Sequence, residues 1–486
     1  MRRWQLSLNV RHDGDEPVFR QIARAIEADV RRGRLRPGDE LPGTRTLAEE
    51  LEVHRNTVAA AYAELAATGW ISAARGRGTF VARELPDDEV SAGTAAAGIA
   101  SPGFPLEPAA RGHRDEWPSP RRGVLALTGA ADARMLPVDE LGRAYRRAAR
   151  SLRATAGHYA DGRGHPRLLA ALGDMLATLK GIGREREIIV TRGSQMGLFL
   201  LIEVLFKPGD AVAIEDPGYE FGWDAFRRRG VELLPVPVDA EGLRVDALRA
   251  IAEKRALRAV LTTPSLQYPT TVPLSPARRR ALLDLASEQR FAVIEDDFVR
   301  ESRYEGPPIL PLASEDTRGV VVHLGTLSKV WMPSVRLGYV AAAPRLIDEL
   351  VSVRQLVDVC GDPLLEVAIA ELIEDGALQR HFQRMRSVLR SRRDALASAL
   401  REELGDTVRF REPNGGTLFW VEVDDAIDVE AWAAAGRDHG VLFLTGNRFF
   451  ARPDPPACLL LVFATLDEKE LREAVRRMAR ALRDVR

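Results

Sequence analysis

The sequence contains no long apolar run, although 45% of its 486 residues are hydrophobic and 29% are charged. A membrane-spanning helix needs about 18 or more consecutive apolar residues, and no segment approaches that length. Residues 1–10 also lack the apolar centre of a secretory signal. We therefore expect a globular cytoplasmic protein that does not enter a membrane, and the length favours two or three domains.

Cysteine is scarce as well. The two cysteines, Cys360 and Cys458, lie far apart in the sequence and match no spacing typical of metal ligands. Neither a disulfide framework nor a zinc site is supported. We expect no bound metal.

Lysine is rare among the 69 basic residues, nearly all of which are arginine. The lysines are Lys180, Lys207, Lys254, Lys329 and Lys469. Because lysine forms a Schiff base with a carbonyl compound and arginine does not, a retained lysine is a candidate for covalent chemistry.

The first 83 residues have the pattern of three short helices followed by a hairpin. Apolar residues recur at helical spacing in residues 17–30, and further helices are predicted at 44–51 and 55–68. Strand-like segments at 70–71 and 79–81 flank a glycine-rich turn. This order predicts a helix-turn-helix with a wing. The segment holds 14 arginines against 11 acidic residues, a mild basic bias that permits DNA binding.

Several motifs in this region resemble the GntR superfamily of winged-helix regulators. They are Gly33-Arg34-Leu35-Arg36-Pro37-Gly38-Asp39-Glu40-Leu41-Pro42, Val53-His54-Arg55-Asn56-Thr57-Val58 and Gly76-Arg77-Gly78-Thr79-Phe80-Val81. The resemblance implies a DNA-binding domain over residues 11–83 that recognises a double-stranded operator. The residues that it places at the DNA are Arg45, Arg55, Asn56, Thr57, Arg75, Gly76, Arg77 and Gly78. The alternative is a helical domain used for protein contacts.

Beyond a predicted flexible linker at residues 84–118, rich in Ala, Gly, Ser and Pro, residues 119–486 alternate short apolar runs with helical stretches. This alternation predicts an α/β domain with a mostly parallel sheet covered by helices on both faces. The region from about residue 361 to 486 favours a smaller α+β subdomain.

Three segments of this α/β domain suit the binding of a phosphorylated cofactor. A predicted strand at 188–191 runs into Gly193-Ser194-Gln195 and a helix, whose N-terminus attracts phosphate. A second strand ends at Asp296, where α/β sheets place ligand chemistry. A third strand precedes Gly325-Thr326-Leu327-Ser328-Lys329, and Arg336 follows.

The order of these segments resembles the fold type I aminotransferases over about residues 123–486, which implies the cofactor pyridoxal 5'-phosphate. By this resemblance Lys329 forms the Schiff base, Asp296 pairs with the ring nitrogen, and Tyr219 stacks on the ring. The phosphate would be held by Ser194, Gln195, Thr326, Ser328 and Arg336. Tyr159 matches a tyrosine that reaches the phosphate of the partner subunit, so a homodimer is implied.

Two positions depart from the aminotransferase pattern. Phe298 stands where the family has a tyrosine that bonds the cofactor, and Tyr268 is the candidate replacement. Leu460 stands where the family has the arginine that binds an α-carboxylate, a contact worth about 1.5–3 kcal/mol. Arg448 and Arg452 precede it and are candidates for a relocated contact. Standard α-amino acid transamination is therefore in doubt.

The two halves together resemble the MocR subfamily of GntR regulators. This resemblance implies a DNA-binding transcription regulator that depends on pyridoxal phosphate and senses that cofactor, or an amine or amino compound, as its small-molecule effector. We expect residual aminotransferase activity at most. The alternatives are an active aminotransferase with an accessory DNA-binding domain, and a cofactor-free scaffold, which Lys329 disfavours. The operator sequence and the effector are left open.

Overall fold

The computed structural model describes residues 16–74, 78–86, 104–105, 123–129, 131–154, 158–298, 302–327 and 331–486. The chain divides into two compact units, Met1–Pro108 and Ala109–Arg486. Most of the predicted linker at 84–118 lies outside the described residues.

The N-terminal unit has three helices and a three-stranded antiparallel sheet in the order β1-β3-β2. Its elements are α1 (Val18–Arg31), β1 (Glu40–Leu41), α2 (Thr44–Glu50), α3 (Arg55–Ala67), β2 (Ile71–Ala74) and β3 (Gly78–Val81). Each helix lies within one residue of its predicted bounds. The helices pack around fully buried Ile22, Leu47 and Val58. The Tyr62 hydroxyl donates to the Pro42 carbonyl at 2.7 Å and ties α3 to the segment before α2.

The second unit contains the remaining helices and strands. Its helices are α4 (Val138–Ser151), α5 (Pro166–Met175), α6 (Ser194–Leu205), α7 (Glu220–Arg228), α8 (Val245–Ala252), α9 (Pro276–Gln289), α10 (Pro344–Val357), α11 (Pro363–Glu374), α12 (Ala377–Leu404), α13 (Val429–Asp438) and α14 (Glu468–Val485). Its strands are β4 (Leu125–Ala126), β5 (Glu187–Thr191), β6 (Ala211–Asp216), β7 (Glu232–Asp239), β8 (Gly242–Leu243), β9 (Ala259–Thr262), β10 (Ala292–Asp297), β11 (Val321–Thr326), β12 (Gly338–Ala342), β13 (Val408–Phe410), β14 (Leu418–Val423), β15 (Val441–Leu442), β16 (Leu444–Thr445) and β17 (Cys458–Val462).

An eight-stranded sheet, in the order β5-β12-β11-β10-β9-β6-β7-β8, forms the centre of this unit. The strands from β11 to β7 pair in parallel, which confirms the predicted mostly parallel sheet. Two strands depart from that pattern, because β12 is antiparallel to both neighbours and β8 is antiparallel to β7.

Both faces of the sheet are buried, which explains why its strands read as continuous apolar runs. Side chains alternate between the faces along each strand. Val293 belongs to the core that includes α5 and α9, whereas Ile294 belongs to the core that includes α6 and α7. Asp296 therefore lies on the α6 face, and Asp297 lies on the α5 face.

A smaller four-stranded sheet, β13-β14-β17-β16, packs against α12, α13 and α14. The short strand β4 pairs with β15 in parallel, so the chain before α4 also joins this part of the unit. α12 spans both parts, since Phe382 packs in the large-sheet core and Leu396 in the smaller one. The subdomain boundary near residue 361 stays a prediction. Among the described helices, none is long and apolar enough to cross a membrane.

Candidate cofactor site and DNA-binding surface

The carboxyl end of β10 carries the acidic side chains of the candidate site. Asp296 is buried and lies opposite Leu324 of β11 in the parallel register. It shares a small cavity with Tyr219, which immediately precedes α7, and with Thr263. The predicted ring-nitrogen partner and the predicted stacking residue are thus brought to one slot.

The hydroxyl of Tyr219 donates to Gln195 Oε1 at 2.9 Å. Gln195 lies in the first turn of α6, and its side-chain amide donates to the Phe221 carbonyl at 3.3 Å. These two bonds connect the ring slot to the N-terminus of α6. Two predicted cofactor residues are therefore coupled directly by a hydrogen bond.

The N-terminus of α6 forms a concave cradle with β11, β12 and Arg336. Gly193 caps the helix with φ +81°, and a Cβ at this position would lie 2.7 Å from Arg336 Nη2. A Cβ on Gly338 would lie 2.6 Å from the Gly193 carbonyl carbon, and Gly338 pairs with Thr326. Ser194, Thr326 and Arg336 are consequently close neighbours.

The donors of this cradle suit a phosphate. The first N–H groups of a helix have no intrahelical partner, and the helix dipole adds positive potential there. Arg336 adds a guanidinium, which also donates to the Arg192 carbonyl at 3.1 Å. The residues present therefore fit pyridoxal phosphate: the cradle would hold its phosphate, and Tyr219 and Asp296 would face its ring.

Tyr268 lies beside this slot in an aromatic cluster. Its ring centroid is 5.9 Å from that of Tyr219, 5.7 Å from Phe298 and 5.6 Å from Phe449. Burial raises the pKa of Tyr268 well above its ordinary value, and the nearby Glu220 carboxylate adds to the shift. The hydroxyl therefore remains a protonated donor, as its proposed replacement role requires.

Leu460, at the position of the missing arginine, is fully buried in β17. It pairs with Trp420 of β14 and with Leu444 of β16. Trp420 packs edge-on against Phe449, whose ring also contacts Tyr268. An apolar and aromatic surface thus extends from Leu460 to the cofactor slot.

The two candidate substitutes for the lost arginine already face carboxylates. Arg448 Nε lies 3.8 Å from the buried Glu220 Oε1, and the Arg448 side chain is 9% exposed. Arg452 is half-exposed, lies 4.0 Å from Asp216 Oδ2 and stacks over Phe450. The Ala451 N–H also donates to Asp216 at 2.7 Å, which ties this loop to the end of β6.

A buried ionic chain on the α5 face was not predicted from the sequence. Lys180 Nζ donates to Asp297 Oδ2 at 2.7 Å, and both side chains are almost fully buried. His323 Nδ1 lies 3.0 Å from Glu295 Oε2. Burial opposes ionisation of Glu295, but the His323 hydrogen bond and charge lower its pKa overall. The rarity of lysine was the only sequence signal for Lys180.

Glu215, at the end of β6, was also missed. Its carboxylate accepts hydrogen bonds from both Thr262 and Thr263 hydroxyls, at 2.6 and 2.7 Å. Burial raises the pKa of Glu215, although these bonds oppose the shift. The residue lines the same slot as Tyr219 and Asp296.

Tyr159 does not join the slot within one chain, because its side chain is 86% exposed. Exposed apolar side chains accompany it at the end of α10 and the start of α11. They are Leu356, Val357, Val359 and Leu364. A Cβ on Gly162 would lie 3.3 Å from Val351 of α10, so the Tyr159 segment runs along this patch.

In the N-terminal unit, Arg45, Arg55 and Asn56 are exposed at the start of α2 and α3. Arg55 Nε donates to Thr44 Oγ1 at 3.4 Å, which brings the two helix starts together. His54 caps α3, with its Nδ1 accepting from the Asn56 N–H at 3.2 Å. Thr57 is half-buried in the same turn.

Some predicted residues fall outside the part of the chain that the structure describes. They are Ser328, Lys329, Arg75, Gly76 and Arg77. Their roles stay predictions. Gly78, the last predicted wing residue, begins β3 with φ +112°, a conformation that favours glycine.

The sequence matches the family Aminotransferase class I and II over residues 130–478 and the family Bacterial regulatory proteins, gntR family, over residues 19–81. It is 31% identical to the HTH-type transcriptional regulator TauR of Rhodobacter capsulatus, over 97% of each chain. The probable rhizopine catabolism regulatory protein MocR of Rhizobium meliloti is 29% identical over 95% of this chain and 93% of the relative.

Among solved structures, LysN, the α-aminoadipate aminotransferase of Thermus thermophilus, is similar with a TM-score of 0.70 and 30% identity. The match covers 75% of this chain and 93% of that chain. The chain belongs to the aminotransferase class I and II family and, with its GntR-type N-terminal domain, to the MocR-type regulators. It is accordingly a DNA-binding regulator with a domain for pyridoxal 5'-phosphate.

Proposed function

We propose that the protein acts in the cytoplasm as a homodimer that binds an operator through its winged helices and responds to pyridoxal phosphate bound in the candidate site. The single observation that carries the ligand assignment is the contrast between the donor-lined cradle and the apolar surroundings of Leu460. A ligand held by its phosphate and ring needs no α-carboxylate contact.

In this proposal each residue of the site has a separate role. Ser194, Gln195, Thr326 and Arg336 bind the phosphate together with Ser328, and Tyr219 orients the ring. Asp296 holds a proton at the ring nitrogen by supplying a counter-charge. Pyridoxal phosphate, when bound, supplies an aldehyde that condenses with amines, and Lys329 is the proposed attachment point.

The effect on DNA is tested by titrating an operator fragment with apo protein and with cofactor-loaded protein, without any amino acid. Because a ligand shifts an equilibrium by its differential affinity for two states, we expect the loaded form to bind the operator with a different affinity. Equal affinities, combined with a clear response to an added α-amino acid, would contradict the proposal. That result would direct attention to Arg448 and Arg452.

The DNA contacts are tested by two matched arginine variants. Arg55→Ala should lower operator affinity by about 1–3 kcal/mol if Arg55 reads a base. Arg45→Ala should weaken all sequences alike and reduce the salt dependence of binding, as expected for a phosphate contact. Unchanged binding in both variants would show that the recognition surface lies elsewhere.

The exposed patch around Tyr159 supports the homodimer. Leu356 is 88% exposed, and several large exposed apolar side chains close together in the sequence are typical of an interaction site. Leu356→Arg should lower the sedimentation coefficient toward that of a monomer. Leu310→Arg, at an exposed leucine outside the patch, should leave the sedimentation coefficient unchanged. A dimer unaffected by Leu356→Arg would place the interface on another surface.

The second candidate function is an active aminotransferase, which the 30% identity to LysN favours. A panel of α-amino donors with a keto acid acceptor tests it by product formation. Turnover with several donors would support this alternative, because it would show that an α-carboxylate is bound despite Leu460.

A further inference from the structure

A second cavity, of about 470 Å³, lies in the aminotransferase-like unit. It is bounded by the turn Leu176–Lys180 after α5, by the segment that follows residue 302, and by the first half of α12. Lys180 lies on the α5 face of the large sheet, whereas the cofactor slot lies on the α6 face. No residue that lines this cavity among those the structure describes belongs to the cofactor slot or the cradle.

Four basic side chains line the cavity. Lys180, Arg303, Arg386 and Arg390 line it, and the described lining includes no carboxylate. Lys180 is compensated by Asp297 at 2.7 Å, and Arg390 by Glu305 at 3.2 Å. Neither Asp297 nor Glu305 lines the cavity itself.

Arg303 differs from these two. Its Nε and Nη1 are shielded from solvent and make no hydrogen bond to any residue in the described ranges. Burial lowers the pKa of Arg303, yet an arginine stays protonated in proteins. A partly buried guanidinium to which no described residue offers a carboxylate leaves positive potential in the cavity, and such a charge is stabilised by an anion.

Part of the cavity wall is apolar. It includes Met175, Leu179, Ile309, Phe382 and Tyr304. Phe382 is 3% exposed and belongs to the large-sheet core, so this wall is built on a packed part of the fold. A free inorganic ion would leave most of this surface without a partner.

We propose that this cavity binds a small organic anion, that is, a carboxylate, sulfonate or phosphate ester attached to an apolar body. The anionic group lies toward Arg303, and the body packs on Phe382 and Ile309. Because the site lies on the other face of the sheet, its occupation does not depend on the cofactor. Lys180 links the cavity to Asp297, the neighbour of Asp296 in β10.

The test uses cofactor-loaded full-length protein, so that the cradle is already filled. The probe is 8-anilinonaphthalene-1-sulfonate, which joins a sulfonate to an aromatic body and fluoresces when bound. N-phenyl-1-naphthylamine, which has the same rings without the sulfonate, is the neutral control. Arg303→Gln should lower the affinity for the sulfonate probe about tenfold or more and leave the affinity for the neutral probe unchanged. Arg384→Gln, on an exposed arginine of α12 outside the cavity, should change neither.

A second pair of variants guards against misfolding of Arg303→Gln. Ser387 is an exposed lining residue, so its replacement places little demand on packing. Ser387→Glu should weaken the sulfonate probe severalfold, whereas the equally long Ser387→Gln should not. Sulfonate affinity unchanged in both Arg303→Gln and Ser387→Glu, or an equal loss of both probes, would overturn the proposal.

Discussion

The two ends of the cofactor site carry opposite kinds of side chain. At the cradle, the N-terminus of α6 lies beside Thr326 and Arg336, and a side chain at Gly193 or Gly338 would collide with these neighbours. Around Leu460, which the family resemblance aligns with a carboxylate-binding arginine, Trp420 and Phe449 build an apolar surface. If the predicted roles hold, the site has groups for the cofactor and no arginine at position 460 for an α-carboxylate.

This difference separates binding of the cofactor from processing of a substrate. A regulator needs only a ligand whose affinity differs between two conformations. An aminotransferase must also position the substrate for proton transfer, which depends on an oriented carboxylate. Loss of the carboxylate contact should therefore reduce transamination more than it reduces ligand sensing.

The largest expected effect is at the covalent attachment. Lys329→Ala should abolish the visible absorption band of the bound cofactor, because no other group at this position can form the Schiff base. Lys254→Ala, at an exposed lysine outside the predicted cofactor site, should keep the band. An unchanged band in Lys329→Ala would contradict the assignment of Lys329 as the lysine that forms the Schiff base.

On the apolar side, we expect Leu460 to behave as a core residue. Leu460→Ala should lower the free energy of unfolding by about 2–5 kcal/mol, because the side chain is fully buried. Urea denaturation measures this change, and Leu310→Ala, at an exposed leucine, should stay within about 0.5 kcal/mol of the unmodified protein. A negligible change in the free energy of unfolding for Leu460→Ala would mean that position 460 is open to a ligand. It would then count against the contrast between the cradle and the apolar surroundings of Leu460.

At the cradle, Arg336→Gln should weaken the binding free energy of pyridoxal phosphate by about 1.5–3 kcal/mol, the usual contribution of a charge-assisted hydrogen bond. Binding of pyridoxal, which lacks the phosphate, should not change. Equilibrium dialysis of both compounds measures the difference, with the exposed Arg345→Gln as the control. An equal loss for both compounds would show that Arg336 supports the fold and does not recognise the phosphate.

The smallest effect is expected at Tyr268. Tyr268→Phe should cost about 0.5–1.5 kcal/mol of cofactor affinity, the range for one neutral hydrogen bond. Since burial raises the pKa of Tyr268 well above 10, the hydroxyl stays protonated and the loss should be the same from pH 6 to pH 9. Tyr304→Phe, at a tyrosine that lines the second cavity and not the cofactor slot, is the matched control. A loss that grows with pH would mean that the hydroxyl ionises and acts in another way.

The helices and most strands were predictable because their signals are local. The apolar spacing of α1 and the glycine that follows the helix are signals within a few residues of each other. The predicted and observed bounds of α1 therefore agree within one residue. The antiparallel insertion of β12 was not predictable, because strand order depends on pairings between residues far apart in sequence. The predicted roles of Asp296, Tyr219 and Arg336 came from motif order, whereas only the fold showed that Asp296 and Tyr219 line one slot and that Arg336 lies beside Gly193.

What the sequence by itself determined is the chemistry available: a winged helix rich in arginine, a lysine after a strand, and a leucine in place of an arginine. Only the tertiary structure decided which groups meet. Adjacent residues of a strand point to opposite faces, so Asp296 joined Tyr219 while Asp297 joined Lys180 on the other side. The same geometry buried Leu460 between two neighbouring strands and left Arg303 in the wall of a separate cavity, because burial and charge compensation arise from contacts between distant segments.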